Sequence, residues 1–432
     1  MPSSRTAAKA LESGETARDG SALKARYECV RAASLRLSAP LKPEDQVVQS
    51  MPDVSPTKWH LAHTSWFFEQ FLLQPYLPNH RVFDEDFGFL FNSYYESVGP
   101  RHARPLRGLL TRPGLQRIHE YRAHVDEHMR MLLEKHPIDT ELVELVELGL
   151  NHEQQHQELM LTDIKHVLSC NPLEPAYRSD LACAGARAGD PALRWVAFDA
   201  GLCEIGTSDQ ASFCFDNEMP RHKVWNDPFE IANRLVTNAE FLEFIRDGGY
   251  QTSLHWLSDG WAVVQQDGWR HPLYWDDALQ SEFTLGGRRD LDPAAPVSHL
   301  SYYEADAFAR WAGARLPTEA EWEIAVAGLP MRGNFVENDR LHPFPEASAT
   351  RLAQFYGDAW EWTASPYSPY PGFHAAAGAV GEYNGKFMCN QIVLRGGSCV
   401  TPADHMRPTY RNFFYPHARW QFMGLRLARN SS

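Results

Sequence analysis

The chain has 432 residues, more than one ordinary hydrophobic core accommodates, and this length predicts two domains. Hydrophobic residues make up 44% and charged residues 22%, as in globular proteins, while a formal net charge of −14 argues against non-specific nucleic-acid binding. No apolar run approaches the roughly 20 residues that a membrane-spanning helix needs, and the polar N-terminus lacks the apolar core of a secretion signal.

Residues 1–20 are rich in Ser, Ala, Gly and charge, and we expect a disordered tail. Residues 21–170 carry four helical patterns. The first begins at Ser21, and the second follows Ser55-Pro56, a pair in which the serine is expected to cap the helix. The third starts near Thr111 and the fourth covers Asp139 to Ser169, so four helices with one long crossover predict a four-helix bundle.

Three histidines of this region form a candidate metal site. His152 and His156 stand four residues apart on the fourth helix, where such residues share one face. Alone, the pair is equally compatible with half-buried structural histidines. His63 lies on the aromatic stripe of the second helix, with His60 rotated away from that stripe, and it is the candidate third ligand.

The crossover at residues 79–112 is long and unusually aromatic for a loop. Long loops inside compact domains are usually functional or disordered, and the aromatic content argues against disorder. It contains the pair Tyr94-Tyr95, followed by several arginines that include Arg101 and Arg104. We therefore expect this segment to contribute to the site.

Residues 171–195 are rich in Pro, Ala and Gly and are predicted to be a linker. Residues 196–432 contain short apolar runs separated by turn residues, which indicates an irregular domain that contains β-strands. Helices are predicted over 236–245 and 301–312, and a third opens at Thr318, which forms a capping box with Glu321.

The two halves resemble known families. The N-terminal half resembles a DinB-like bundle, through His63 and an HxxxHxE element formed by His152, His156 and Glu158. The C-terminal half resembles the formylglycine-generating-enzyme (sulfatase-modifying-factor) domain, a variant of the C-type lectin fold, so the fold class is α+β. The matching stretches are PVSHLS at 296–301, RLPTEAEWE at 315–323, GDAWEWT at 357–363, LRGGS at 394–398 and GLRLA at 424–428.

This ordered combination is similar to that of the ergothioneine-biosynthesis sulfoxide synthases. The resemblance implies a non-haem iron(II) enzyme that uses O₂ to join a cysteine-type thiol to C2 of the hercynine imidazole, giving a sulfoxide. Three imidazoles suit Fe(II) and leave positions open for substrates. Glu158 lies about 200° around the helix from His156, so we expect a second-shell or surface carboxylate and not a fourth ligand.

The resemblance also implies roles for other residues. Tyr94 or Tyr95 would supply a proton during the reaction, and Gln155 would contact the substrate imidazole. By this resemblance, Phe414 and Ala418 stand where another branch has an Asp–Arg pair that binds γ-glutamylcysteine, which favours free cysteine as the donor. The remaining substrate-binding candidates are Arg101 or Arg104 for a carboxylate, Asp53 for an amine, and Phe413, Phe414 and Trp420 as aromatic walls.

Several alternatives remain open. A formylglycine-generating enzyme would need a pair of C-terminal cysteines, and only Cys399 lies in that stretch. The ovothiol-route synthase usually has a further methyltransferase domain, and we expect none beside the two domains predicted in these 432 residues. A selenium-using sister enzyme and a non-catalytic lectin-like module are further alternatives. Seven scattered cysteines indicate reduced thiols in a cytoplasmic protein, and a single disulfide is the alternative. The sequence leaves the oligomeric state open.

Overall fold

The computed structural model describes residues 20–134, 139–181, 192–208, 213–346, 352–375, 379–382 and 384–431. The predicted disordered tail, except for Gly20, lies outside the described residues, as does the middle of the predicted linker. None of the described helices is both long and apolar enough to cross a membrane.

The N-terminal region is helical. Its helices are α1 (Gly20–Ser38), α2 (Thr57–Phe68), α3 (Gln74–Tyr76), α4 (Phe87–Phe91), α5 (Leu115–Leu133) and α6 (Thr140–Ser169). A π-helical turn, Glu69–Leu73, joins α2 to α3, and the 3₁₀ helices are Asp45–Val47 and Arg104–Leu109. The four long helices pack as the predicted bundle, with α1 and α2 each contacting both α5 and α6.

Two predictions about helix starts were wrong. The third long helix begins at Leu115, after Gly114, and not near Thr111. Ser55 does not cap α2, because Pro56 is the residue before its first turn and no side chain caps it. Ser55 is used for tertiary contacts: its hydroxyl accepts a hydrogen bond from Arg107 Nη1 (2.9 Å), and its backbone N–H donates to Asp163 Oδ2 (2.8 Å).

The C-terminal region mixes strands and short helices, which confirms the α+β class. Its strands are β1 (Trp195–Phe198), β2 (Gly201–Ile205), β3 (His222–Asn226), β4 (Phe229–Ala232), β5 (Ser281–Thr284), β6 (Gly287–Asp290), β7 (Trp360–Pro366), β8 (Ile392–Arg395), β9 (Asn412–Phe414), β10 (Met423–Gly424) and β11 (Ala428–Asn430). Among the described residues they form sheets β1-β4-β11 and β10-β7-β8-β9 and the hairpins β2-β3 and β5-β6.

The described α-helices of this region are α7 (Asn238–Arg246), α8 (Ser258–Asp267), α9 (Tyr302–Trp311) and α10 (Glu319–Val326). Three of the four start at capping boxes, and α8 starts without a side-chain cap. Thr318 caps α10 and Glu321 reaches back to its backbone, as predicted, and Thr237 and Ser301 open α7 and α9 in the same way. Local sequence therefore determines where these three helices begin.

Glu158 anchors the C-terminal region to α6. Its carboxylate is buried and accepts hydrogen bonds from the Trp360 indole N–H (2.5 Å), the Thr401 hydroxyl (2.7 Å) and the Ser398 hydroxyl (3.2 Å). All three donors lie in or beside the sequence motifs of the C-terminal domain. Glu158 was expected either in the second shell of the metal site or on the surface. The surface position was wrong, because the C-terminal region covers this face of α6.

Candidate metal centre and its surroundings

His63, His152 and His156 meet between α2 and α6. All three are buried, and one ring nitrogen from each lies within 4.8 Å of the other two. The Nε2 atoms of His63 and His152 are 3.2 Å apart. Two imidazole nitrogens at this distance need a proton or a metal ion between them, because their lone pairs otherwise repel each other.

His63 is held in one orientation. Its Nδ1–H donates to the backbone carbonyl of Phe91, at the end of α4, over 2.6 Å, which leaves Nε2 with the lone pair. The indoles of Trp59 and Trp66 stack on its ring, with centroid distances of 4.6 and 5.5 Å. A hydrogen bond from one ring nitrogen to a carbonyl is typical of a histidine that binds a metal through its other nitrogen.

His156 is oriented by a polar chain that the sequence did not predict. Its Nδ1 lies 2.8 Å from Nδ1 of His60, and Nε2 of His60 lies 3.0 Å from Asp163 Oδ2. Since the carboxylate needs a donor, His60 carries its proton on Nε2 and accepts from His156, which leaves Nε2 of His156 to face the triad. His60 is buried on α2 and contacts a candidate ligand, so the prediction that it is rotated away from the inward stripe of that helix was wrong.

The three histidines are neutral. Burial lowers the pKa of His63 and His156 well below the usual value, and their neighbouring histidines lower it further. Burial also lowers the pKa of His152 to about 3. Neutral imidazoles offer the lone pairs that a metal ion requires, and the set therefore fits a divalent transition metal such as iron.

Gly149 allows α2 to approach α6 at the triad. A Cβ atom there would lie 2.8 Å from Phe68 Cε1 and 3.0 Å from Phe67 Cε1. Both phenylalanine rings are completely buried, so they have little room to move. The glycine therefore sets the separation of the two helices that hold the ligands.

Arg107 was missed as a site residue. Its guanidinium stacks on the Trp59 indole, 3.3 Å from the ring centre, and is bonded to the Ser55 and Ser93 hydroxyls. It is buried, its Nε has no hydrogen-bond partner and it forms no ion pair within the part of the chain that is described. A buried cation without a counter-charge is a candidate anion-binding group, and burial lowers its pKa.

The predicted carboxylate and amine contacts are more exposed. Arg101 is exposed and pairs with Glu96 (2.6 Å). Arg104 and Asp53 are also exposed, and the Arg104 guanidinium donates to the Asp53 backbone carbonyl. Asp53 precedes α2, and the two arginines lie between α4 and α5. Their substrate contacts remain predictions.

The two tyrosines have different surroundings. Their rings stack with centroids 4.6 Å apart, and Tyr95 is buried with its ring 5.6 Å from that of Trp66, which in turn packs on His63. Burial raises the pKa of Tyr95 above its usual value. Tyr94 lies at the edge, where Lys386 sits 5.0 Å above its ring. Of the two tyrosines, Tyr95 is thus the one that packs near Trp66, the indole that stacks on His63.

Gln155 points toward the C-terminal region. Its Nε2 donates to the Tyr410 hydroxyl over 2.7 Å, and that hydroxyl also lies 3.1 Å from His405 Nε2. The other ring nitrogen of His405, Nδ1, lies 3.0 Å from Oδ1 of Asn151 on α6. Tyr410 and His405 lie outside every motif considered in the sequence, and no local signal identified them.

The predicted aromatic walls belong to two groups. Trp420 is buried, its indole N–H donates to Asp163 Oδ1 (3.3 Å), and Phe414 packs edge-on against it at 5.6 Å. Phe413 points elsewhere and stacks on Tyr367 at 4.0 Å. Trp420 and Phe414 are therefore linked to the triad through Asp163 and His60, whereas Phe413 belongs to a separate aromatic stack.

The family model described as "Sulfatase-modifying factor enzyme 1-like domain" matches residues 186–350 and 341–431. Fold and site together define a protein in which a helical region with a three-histidine candidate metal centre is joined to a domain of this kind.

The similarity to curated relatives extends over both regions. The hercynine oxygenase of Mycolicibacterium thermoresistibile is 34% identical over 411 residues, which cover 87% of this chain and 88% of the relative. That of Mycobacterium tuberculosis is 32% identical, covering 92% of this chain and 96% of the relative. The formylglycine-generating enzyme of Streptomyces coelicolor is 28% identical over 256 residues, 47% of this chain and 77% of the relative. The chain belongs to the hercynine oxygenase family.

Proposed function

We propose that the protein is an iron(II)- and O₂-dependent sulfoxide synthase that joins cysteine to C2 of the hercynine imidazole in ergothioneine biosynthesis. The observation that carries this proposal is the buried triad of neutral imidazoles, His63, His152 and His156, in a chain of the hercynine oxygenase family. The net reaction converts the imidazole C–H, the thiol S–H and O₂ into a C–S bond, an S=O group and water.

Iron would be held by the Nε2 atoms of His63 and His156, whose Nδ1 atoms are engaged with Phe91 and His60, together with His152. Bound there, Fe(II) supplies O₂ activation and a coordination position for the thiol. The protein contributes a neutral, water-poor site and fixed ring orientations.

Hercynine would bind at the junction between α6 and the C-terminal region. Gln155 supports this placement, since its amide would exchange its bond with Tyr410 for one to the substrate imidazole. The aromatic faces of Trp420 and Phe414 would attract the trimethylammonium group, and Phe413 is a further candidate. These contacts orient the imidazole and do not take part in bond formation.

Cysteine would place its carboxylate near Arg107, the buried guanidinium that lacks a counter-charge among the described residues. Arg101 and Arg104 remain candidates at the more exposed entrance, with Asp53 for the amine. Phe414 packs against Trp420, and Ala418 is buried and apolar, so these two positions offer no charge for a γ-glutamyl group. This supports free cysteine as the sulfur donor.

Tyr95 would be the proton donor of the pair. Because burial raises its pKa, it keeps its proton at neutral pH and is available to transfer it. Tyr94 stacks on it and would position it. We also infer a cytoplasmic enzyme, which the free thiols of Cys29, Cys170, Cys203, Cys389 and Cys399 support.

The test is a donor panel. Protein reconstituted with Fe(II) without oxygen is mixed with hercynine, O₂ and one donor, which is cysteine, γ-glutamylcysteine or a selenosugar. We expect a sulfoxide with cysteine. Product only with γ-glutamylcysteine would overturn the donor assignment, and product only with the selenosugar would favour the selenium alternative. No product with any donor would favour the non-catalytic module.

A further inference from the structure

A second cluster of histidines lies in the N-terminal region, apart from the triad. His80 comes from the segment between α3 and α4, and His124 and His128 stand one turn apart on α5. One ring nitrogen from each lies within 4.8 Å of the other two. The rings of His124 and His128 are 4.1 Å apart between centroids, and those of His80 and His128 are 5.0 Å apart.

Hydrogen bonds orient two of these rings so that one nitrogen stays available. His80 Nε2 lies 3.2 Å from Glu69 Oε1, and His124 Nε2 lies 3.3 Å from the Arg81 carbonyl, so each presents Nδ1. Across the described chain, Nδ1 of His80 and Nδ1 of His128 are both buried and have no hydrogen-bond partner. Two buried nitrogens without partners, in one cluster, require an explanation.

Glu69 is fixed in place before any ion binds. It is buried in the π-helical turn after α2, where its carboxylate accepts from the Phe83 backbone N–H (3.0 Å) and the Tyr121 hydroxyl (2.7 Å) as well as His80. A carboxylate that accepts a hydrogen bond from one ring nitrogen of a histidine orients the ring and makes the other nitrogen a better metal ligand.

We propose that His80, His124 and His128 form a second metal site, for a divalent ion of the zinc class that prefers imidazole ligands. Such an ion holds three nitrogens at roughly 2.0–2.1 Å, which small side-chain rotations from the observed cluster would allow. Its fourth position would open toward the adjoining surface cleft of about 620 Å³, which is lined by Gln74 and residues 80–85.

The second ion would have a structural role. It would fasten the segment after α3 to α5, and that segment leads directly into α4. The last residue of α4, Phe91, accepts the hydrogen bond that orients His63. A metal ion at the second site would therefore stabilise the crossover beside the candidate iron centre without contacting it.

The test uses full-length, tag-free protein with the substitution His152→Ala, which weakens the first site. It is titrated with CoCl₂ alone, because tetrahedral Co²⁺ with nitrogen ligands absorbs strongly in the visible range. We expect about one tight Co²⁺ per chain, and a loss of affinity of at least about 100-fold when His124→Ala and His128→Ala are added. His119→Ala, on the same helix but outside the cluster, should bind Co²⁺ as before.

Two results would overturn the proposal: no tight Co²⁺ in the His152→Ala protein, or equal binding with and without the two added substitutions. Because the compared proteins differ only at the second cluster, the outcome does not depend on the function of the first. The single substitution His80→Gln, located in a loop and added to His152→Ala, gives a second measurement if the variant with both α5 substitutions fails to fold. Zn²⁺ should raise the melting temperature of the His152→Ala protein by several degrees and leave that of the His152→Ala, His80→Gln protein unchanged.

Discussion

Nδ1 of His60 lies 2.8 Å from Nδ1 of His156, and the other nitrogen of His60 lies 3.0 Å from the Asp163 carboxylate. A candidate ligand on α6 is thus oriented by a histidine on α2, one turn before the candidate ligand His63. Asp163 also accepts from Trp420, so the chain extends from the triad into the C-terminal region.

Replacing His60 by leucine should loosen His156 and weaken Fe(II) binding by about 10–100-fold, the usual effect of losing a group that orients a metal ligand. His60→Asn is the matched control, because its amide oxygen can take the place of Nδ1 as acceptor. It should retain most of the affinity. Anaerobic Fe(II) titration measures both. Equal affinity in His60→Leu and the unaltered protein would show that the contact has no role.

Gly149→Ala should separate α2 from α6 at the triad. The added Cβ would collide with the buried Phe68 ring, and overpacking of this kind costs about 1–3 kcal/mol, against a gain of about 1 kcal/mol in helix propensity. We expect a net loss of stability and weaker Fe(II) binding. Urea denaturation and Fe(II) titration measure the two effects. Gly114→Ala, where a Cβ meets nothing within 4 Å, is the control.

Substitutions of Glu158 distinguish a role in the contact between α6 and the C-terminal region from a role in metal binding. Glu158→Ala would leave the buried Trp360 N–H and Thr401 hydroxyl without their acceptor, at a cost of about 1–3 kcal/mol for each group. Glu158→Gln, which keeps one acceptor oxygen, should lose less. Both should still bind iron at the triad. Loss of iron from folded Glu158→Gln protein would contradict this assignment.

Asp358 makes stability depend on pH. Burial raises the pKa of this carboxyl from 3.8 to about 6. Because the folded state then binds the proton more tightly than the unfolded state, the free energy of unfolding falls as pH rises from about 4 to 6. The shift corresponds to up to about 3 kcal/mol.

Asp358→Asn should remove this contribution. Asparagine tolerates the positive φ of 56° found there and keeps an acceptor for the Phe344 N–H. Urea denaturation at pH 4.5 and pH 7 should therefore show the variant gaining stability relative to the unaltered protein at the higher pH. The same pH dependence in both proteins would mean that Asp358 does not titrate as described.

Much of this organisation could be predicted from sequence, for a physical reason. Helical spacing places His152 and His156 on one face, and capping boxes such as Thr318–Glu321 determine local starts without help from distant residues. The α+β class and the family followed from ordered motifs, and the comparisons confirmed both. The predicted ligand set is one that the structure brings together.

The errors come from contacts between distant segments. Periodicity assigned one buried face to each helix, but α6 is covered both by α2 and by the C-terminal region. Glu158 is therefore buried, although a surface position was one of the two expected for it. In the same way, Ser55 fitted the pattern of a cap but is bonded to Arg107 and Asp163. No local pattern distinguishes buried Arg107 from exposed Arg101 and Arg104.

The tyrosine pair offers a comparison of neighbours. Tyr95→Phe should reduce sulfoxide formation by about 100-fold or more, the range of a lost general acid, while leaving Fe(II) affinity unchanged. Tyr94→Phe, which lies at the edge beside Lys386, should have the smaller effect. Single-turnover assays on iron-loaded protein distinguish the two, and unchanged rates in both variants would remove the proposed proton donor.

The central claim is that the His63, His152 and His156 centre couples O₂ to formation of the sulfoxide. The most direct measurement is mass spectrometry of the product made from hercynine, cysteine and ¹⁸O₂ by Fe(II)-loaded protein, with His152→Ala as the control. We predict a sulfoxide that carries one ¹⁸O atom, formed only by the unaltered protein. A sulfoxide without the label, or equal product from His152→Ala, would contradict the account.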